Sequence, residues 1–223
     1  MIYETGLFSI FIQMVVNVVE AWGLTMSVAP KDEILRDILK VEVFVEVIEL
    51  IFYIVLILFF KQLTGTLTPY RYIDWSMTTP LMLITLMAYM KGSTGRLTDF
   101  LFNNVGSIVT VCSLNFMMLL SGFLGEIGVF PILATTAVGF IPFAAYFGYI
   151  YENFVPAVDT DYKRTVFFWF VGFWMLYGLF ALLSYTAKNV SYNILDLFAK
   201  NFFGVFLSVM IWTRSIPDVS VLP

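Results

Sequence analysis

Seven apolar runs, separated only by short polar breaks, set the limits on what this chain can fold into. They cover about 5–28, 34–60, 69–90, 98–121, 127–151, 163–186 and 190–213, and about 20 apolar residues suffice to span a bilayer as a helix. In hydrocarbon every backbone amide must find its partner within the protein, so runs of this length are expected to be helices. The breaks mix charges with turn-forming residues. They are Pro30-Lys31-Asp32-Glu33, Thr64-Gly65-Thr66, Lys91-Gly92-Ser93-Thr94-Gly95, Gly125-Glu126, Val158-Asp159-Thr160-Asp161 and Ala187-Lys188-Asn189. The expectation is an all-α membrane protein: one seven-transmembrane helix bundle forming a single domain over 1–223, with the lipid bilayer as its partner. The loops are too short to hold a soluble domain.

Composition agrees and removes several function classes. The chain is 60% hydrophobic and 13% charged, where a soluble domain carries about 25% charged residues. It has no histidine and one cysteine, Cys112. This excludes Ser-His and Cys-His hydrolases, histidine-ligated metals and an internal disulfide. A net charge of −4 gives no reason to expect a nucleic-acid partner. The N-terminus lacks a basic stretch followed by a small-residue cleavage site, so no removable leader is expected. Basic loop residues favour the cytoplasm. Lys31, Arg36, Lys91, Arg96, Lys163, Arg164 and Arg214 collect on one side, against Lys61 and Lys188 on the other. The N-terminus is therefore expected outside and the C-terminus in the cytoplasm.

Several ionisable residues interrupt the runs. Each costs roughly 2.5–3.5 kcal/mol at mid-bilayer on insertion scales, so such residues are expected inside the bundle, paired, and functional. Arg71 and Asp74 fall in the third run, and Asp196 and Lys200 share a face of the seventh at i, i+4. Ser9, Gln13, Asn17 and Glu20 form a polar stripe on the first run, and Glu42, Glu46 and Glu49 form one on the second. Asn193 and Asn201 extend the polar face of the seventh. A buried lysine is also a candidate for covalent chemistry with an aldehyde.

Two of these segments carry a recognisable pattern. Arg71-Tyr72-Ile73-Asp74-Trp75-Ser76-Met77-Thr78-Thr79-Pro80 reads R-Y-x-D-W-x-x-T-T-P, and Asp196 to Lys200 reads D-x-x-x-K. Together they resemble the third and seventh helices of the microbial (type 1) rhodopsins. The resemblance implies all-trans retinal, covalently attached to Lys200 as a protonated Schiff base. Asp74 and Asp196 would be counterions, with Arg71 balancing the surplus charge and Thr78 hydrogen-bonding the Asp74 carboxylate. Trp75 and Trp174 would sandwich the polyene, and Tyr72 and Tyr177 would turn polar tips to the aspartates. Thr79, Met118 and Gly122 would line the pocket. The stretch from Asn115 through Gly122 to Gly125 reads either as pocket floor or as close helix packing. Thr135, Thr136, Gly139 and Pro142 are candidates for the ring end. The sixth helix offers Trp174-Met-Leu-Tyr177-Gly178, similar to the family's W-x-x-Y-P, but with glycine for proline and Ala181 where an aromatic is common. Trp169 is the rival to Trp174 at the chromophore.

The implied activity is light-driven and not enzymatic, and its output is expected from the polar residues. An outward proton pump needs an acceptor, which Asp74 supplies, and a fast donor. The family's donor position, eleven residues after the acceptor, holds Thr85, which does not titrate. A light-gated cation channel uses what a pump leaves idle: Arg71, Ser9, Gln13, Asn17, Glu42, Glu46, Glu49, Asn193 and Asn201 as an ion pathway for cations or protons. A compact chain with these acids on its second helix looks most like the group-one viral rhodopsins, the viral channelrhodopsins. The channel is therefore the expected function, with a proton pump as the alternative and a sensory photoreceptor third. Homo-oligomers are common in the family, and no oligomer interface is legible in the sequence.

Overall fold

The computed structural model describes residues 1–92 and 95–215. Ser93 and Thr94 of the third break, and the C-terminus whose location was expected above, lie outside them. The helices are α1 (Ile2–Leu24), α2 (Glu33–Leu58), α3 (Phe60–Leu63), α4 (Leu67–Lys91), α5 (Leu97–Asn103), α6 (Val105–Glu126), α7 (Ile132–Phe154), α8 (Lys163–Phe180), α9 (Tyr185–Ala199) and α10 (Asn201–Arg214). A single 3₁₀ turn, Pro30–Asp32, precedes α2. Seven spans follow, because α3 caps α2, α5 leads into α6, and α9 and α10 form one span broken at Lys200. No strand occurs among the described residues, only an isolated bridge between Val28 and Ser215.

Two breaks lie elsewhere than expected. Gly125 and Glu126 form the last turn of α6, and the chain reverses after them at Gly128, whose φ is +76°. Ala187-Lys188-Asn189 lies inside α9, and the break falls between Phe180 and Tyr185. Polar side chains marked this segment as a loop, but each has a partner inside the protein. Lys188 pairs with Glu126 at 2.8 Å, and Asn189 donates to Thr68 Oγ1 at 2.9 Å. Satisfied in this way, they cost the helix little.

The bundle is a membrane protein turned inside out in its polarity. Its outer shell is apolar: Phe8, Phe11, Val18, Ile73, Phe116, Leu133 and Ile141 are exposed, as lipid-facing residues should be. Its interior holds Arg71, Asp74, Glu20, Glu42, Glu46, Glu49, Asp196 and Lys200, all buried. By length and composition, Ile2–Leu24, Val105–Glu126, Ile132–Phe154 and Tyr185–Arg214 suffice to cross a membrane. In α2 and α4 the mid-helix charges Glu42, Glu46, Glu49, Arg71 and Asp74, which lower hydropathy, are buried. The central helix, α4, packs against α2, α6, α7 and α8, while α1 packs against α2, α9 and α10. From Met82 to Met90, α4 is almost wholly buried beside Phe143, Phe147, Phe170, Phe203 and Leu207. This apolar half fixes the helices, and the polar site lies toward the other half of α4.

Gly92 ends α4 in the left-handed conformation, φ +61°, which only glycine adopts without strain. Nearby, Arg214 ties α10 to both flanking loops. Its Nη1 is 2.8 Å from Asp32 Oδ1 and its Nη2 is 2.5 Å from Asp161 Oδ1.

Candidate functional site

Lys200 stands where α9 gives way to α10, at φ −105° and ψ −61°. Its amide still bonds Asp196 O at 3.1 Å, so the two helices stay joined through the break. Three carboxylates surround its Nζ: Asp74 Oδ2 at 2.5 Å, Glu49 Oε1 at 3.9 Å and Asp196 Oδ1 at 4.0 Å. Asp74 and Asp196 were expected there. Glu49 was expected only along an ion path, and it closes the circle from α2. One cation among three acids is unbalanced, and the fully buried Arg71 supplies the second positive charge.

Arg71 is bound on all sides. Its Nη1 donates to Asp196 Oδ2 at 3.4 Å and Tyr53 Oη at 3.3 Å, and its Nε donates to Asn189 Oδ1 at 3.1 Å. Its Nη2 reaches Asn189 O at 3.4 Å and also donates to Asn193 Oδ1. Asn193 in turn donates to Ile2 O at 3.0 Å and Thr5 Oγ1 at 2.8 Å. Ser9 donates to Asn193 O at 2.7 Å. The network thus joins α1, α2, α4 and α9.

Two expected contacts are differently made, those of Tyr72 and Thr78. Asp196 accepts from two tyrosines, Tyr177 and Tyr53, each at 2.5 Å. Tyr72 is not one of them: its ring packs edge-on against Trp75 and Phe123, and its hydroxyl faces Gly122, where a Cβ would lie 2.6 Å away. Thr78 donates to the backbone carbonyl of Asp74 at 2.9 Å, not to its carboxylate. As a helical threonine it bonds the carbonyl four residues back, which leaves Asp74 Oδ1 with no protein partner. Thr79 likewise bonds Trp75 O at 2.7 Å and accepts from Asn115 Nδ2 at 2.8 Å. Tyr53 was missed because it lies among apolar residues on α2, where only its two-turn offset from Glu46 and one-turn offset from Glu49 hinted at the same face.

An apolar pocket runs from Lys200 between α4, α6, α7 and α8. It encloses about 800 Å³ of atom-free space, part of it continuous with the outside. Trp75, Thr79, Met82, Met118, Gly122, Thr135, Thr136, Gly139, Trp174 and Tyr177 all line it. Trp169 does not. It stacks on Phe173 and Phe202 and donates to Phe198 O at 3.1 Å. Pro142 is buried in α7 outside the lining, and Asn115 acts behind it through Thr79. The glycines of α6 divide their roles. Gly122 makes room for Tyr72, whereas Gly125 lets α6 approach Thr135 of α7. A long apolar slot with a buried amine at one end and carboxylates beside that amine fits a polyene aldehyde.

The remaining polar residues form a second line from this centre. Gln13 Nε2 meets Glu49 Oε1 at 3.2 Å. Beyond it lie Glu46 and Glu20, then Glu42, whose Oε1 accepts from Thr85 at 2.5 Å. Asn17 is only half-buried and turns back to Gln13 O at 2.9 Å. Several buried atoms along this line have no protein partner: Gln13 Oε1, Glu49 Oε2, Glu46 Oε2, both Glu20 oxygens, and both amide atoms of Asn201. Left dry, each would cost about 1–3 kcal/mol, a cost that water or a cation relieves.

Fold, pocket and buried lysine together define a seven-helix protein built around a covalently held polyene. The chain matches the bacteriorhodopsin-like protein family over residues 3–214 and belongs to it. Proteins of this family carry retinal covalently, and retinal is the cofactor here. The blue-light absorbing proteorhodopsin of Gamma-proteobacterium Hot 75m4 is 28% identical over 177 residues, 70% of this chain and 64% of that protein. The match thus spans less than two thirds of that relative's length. Viral rhodopsin OLPVRII superposes with a TM-score of 0.78 at 25% identity, covering 95% of this chain and 98% of that one. A blue light-absorbing proteorhodopsin from Med12 superposes at 0.75 and 22% identity, with the same coverage.

Proposed function

We propose that this chain is a light-gated cation channel, a single seven-helix domain with its N-terminus outside the cell. Retinal, joined to Lys200 as a protonated Schiff base, supplies light absorption and isomerisation. The chain's residues do the rest. Asp74 balances the charge at Lys200, Asp196 is held in place by Tyr53, Tyr177 and Arg71, and Trp75 and Trp174 confine the polyene in the slot.

The observation that carries the channel reading is the line of unpartnered buried polar atoms from Glu49 through Glu46, Glu20 and Asn201. It runs between α1, α2 and α10, away from the retinal slot. Acids along a path attract cations and exclude anions. A pump needs one acceptor and one donor on the two sides of the lysine, and Glu46 and Glu20 exceed that pair.

A proton pump is the second reading, favoured by one observation. Thr85 occupies the donor position, and the Glu42 carboxyl is bonded to it at 2.5 Å. An acid from α2 therefore stands where threonine alone could not serve. Photocurrent against voltage, with retinal supplied, separates the two. A channel gives current that reverses sign and whose reversal potential follows the cation gradient. Outward current that never reverses over the accessible range would refute the channel.

A further inference from the structure

Glu20 is a carboxyl that the retinal site leaves idle. It lies on α1, fully buried, and neither oxygen meets a donor. It presses against α10 at Gly204, one turn beyond Lys200. A Cβ built on Gly204 would overlap the Glu20 carboxyl itself, so the space a side chain would fill on α10 is filled by an acid from α1. Asn201, three residues before Gly204 on the same face of α10, is 3% exposed with both amide atoms unpartnered. Glu46 of α2 adds an unpartnered Oε2. One turn further, Gly23 and Ser208 repeat the close approach: a Cβ on Gly23 would come 2.9 Å from Ser208 Oγ. The α1–α10 seam is thus tight, and the Glu20 carboxyl is wedged in it.

We propose that Glu20, seated on Gly204, is the constriction of the ion path and a binding site for a small monovalent cation, with Asn201 as its second ligand. The inference rests on the channel reading. Two oxygens of Glu20 and Oδ1 of Asn201 give such an ion a partly dehydrated resting place between three helices. Because α10 begins at Lys200, any displacement of the lysine backbone moves Gly204 relative to Glu20. A loosened seam frees the carboxyl to swing, and the ion passes.

The test uses the full chain reconstituted with retinal, with the visible absorption band as the check on folding. Glu20→Gln keeps the shape and removes the charge. With sodium on one side and a large organic cation on the other, its reversal potential should move toward the unselective value. Gly204→Ala puts a methyl where the carboxyl sits and should cut photocurrent about tenfold at an unchanged spectrum. Adding Glu20→Ala to Gly204→Ala removes the clash and should restore current. A Gly204→Ala current equal to wild type, or an unmoved reversal potential in Glu20→Gln, overturns the proposal. A wild-type current that never reverses removes the channel reading instead. The Glu20 site then depends on the infrared spectrum: a carboxylate band that shifts when sodium replaces a large organic cation and is lost in Glu20→Gln supports it, and a spectrum indifferent to sodium overturns it.

Discussion

Tyr53→Phe tests the site at its least expected member. Tyr53 is fully buried, and the substitution removes one oxygen while keeping the ring, so packing is little disturbed. That oxygen donates to Asp196 Oδ2 at 2.5 Å, lies 3.2 Å from Asn193 Oδ1, and accepts from Arg71. A hydrogen bond to a charged group contributes about 1.5–3 kcal/mol. Asp196 keeps Tyr177 and Arg71, and Asn193 keeps Arg71, so the lower end applies, about 1.5–2 kcal/mol. Unfolding of such a protein is read as a rate. At a fixed elevated temperature the visible band should therefore decay about ten- to twentyfold faster than in wild type. Tyr177→Phe alone should behave similarly. The double variant leaves Asp196 with Arg71 at 3.4 Å and Lys200 at 4.0 Å, and its cost should exceed the sum of the two by at least about 0.5 kcal/mol. Decay of Tyr53→Phe within twofold of wild type would show that the phenol does not hold Asp196, and the reasoning would fail.

Three further substitutions address the chromophore and the path. Lys200→Ala should give colourless protein after retinal is added; a retained visible band would refute the attachment. Asp74→Asn removes the negative charge nearest Lys200, which raises the ground state and should shift absorption to the red. An unshifted band would make Asp196 or Glu49 the main counterion. Glu49→Gln keeps volume and removes charge at the head of the polar line, and should change conductance or reversal potential. Currents identical to wild type would take Glu49 out of the path.

The apolar runs made the seven spans legible, because bilayer thickness fixes their length whatever the tertiary contacts. The helix ends were less legible. Lys188 and Asn189 look like loop residues, and nothing local reveals that Glu126, 62 residues away, and Thr68 will pair with them. The site divides in the same way. Arg71, Asp74, Asp196 and Lys200 stand out because a charge in an apolar run has few explanations. Tyr53 does not, because tyrosine in an apolar run is ordinary. Tyr72 and Thr78 were expected to serve the aspartates from the resemblance and, for Thr78, from its place one turn beyond Asp74. Spacing gives the face of a helix but not the rotamer, and both side chains found nearer partners, Gly122 and the Asp74 carbonyl.

Channel and pump share every residue up to Glu49, so the output depends on what lies to either side of Lys200. Toward one end, Arg71 is locked by donations to Tyr53, Asn189, Asn193 and Asp196. Toward the other, the α1–α10 seam is closed at Glu20 against Gly204 and again at Gly23 against Ser208. Along the proposed ion path each of these is a barrier. A pump must relax them in turn, since a moment with both open would let ions run back down their gradient. A channel must relax them together. Lys200 connects them: its side chain touches Asp74 in the Arg71 half, and its backbone starts the helix that carries Gly204. On the proposed channel reading, one displaced residue pulls on both barriers at once, as a channel requires.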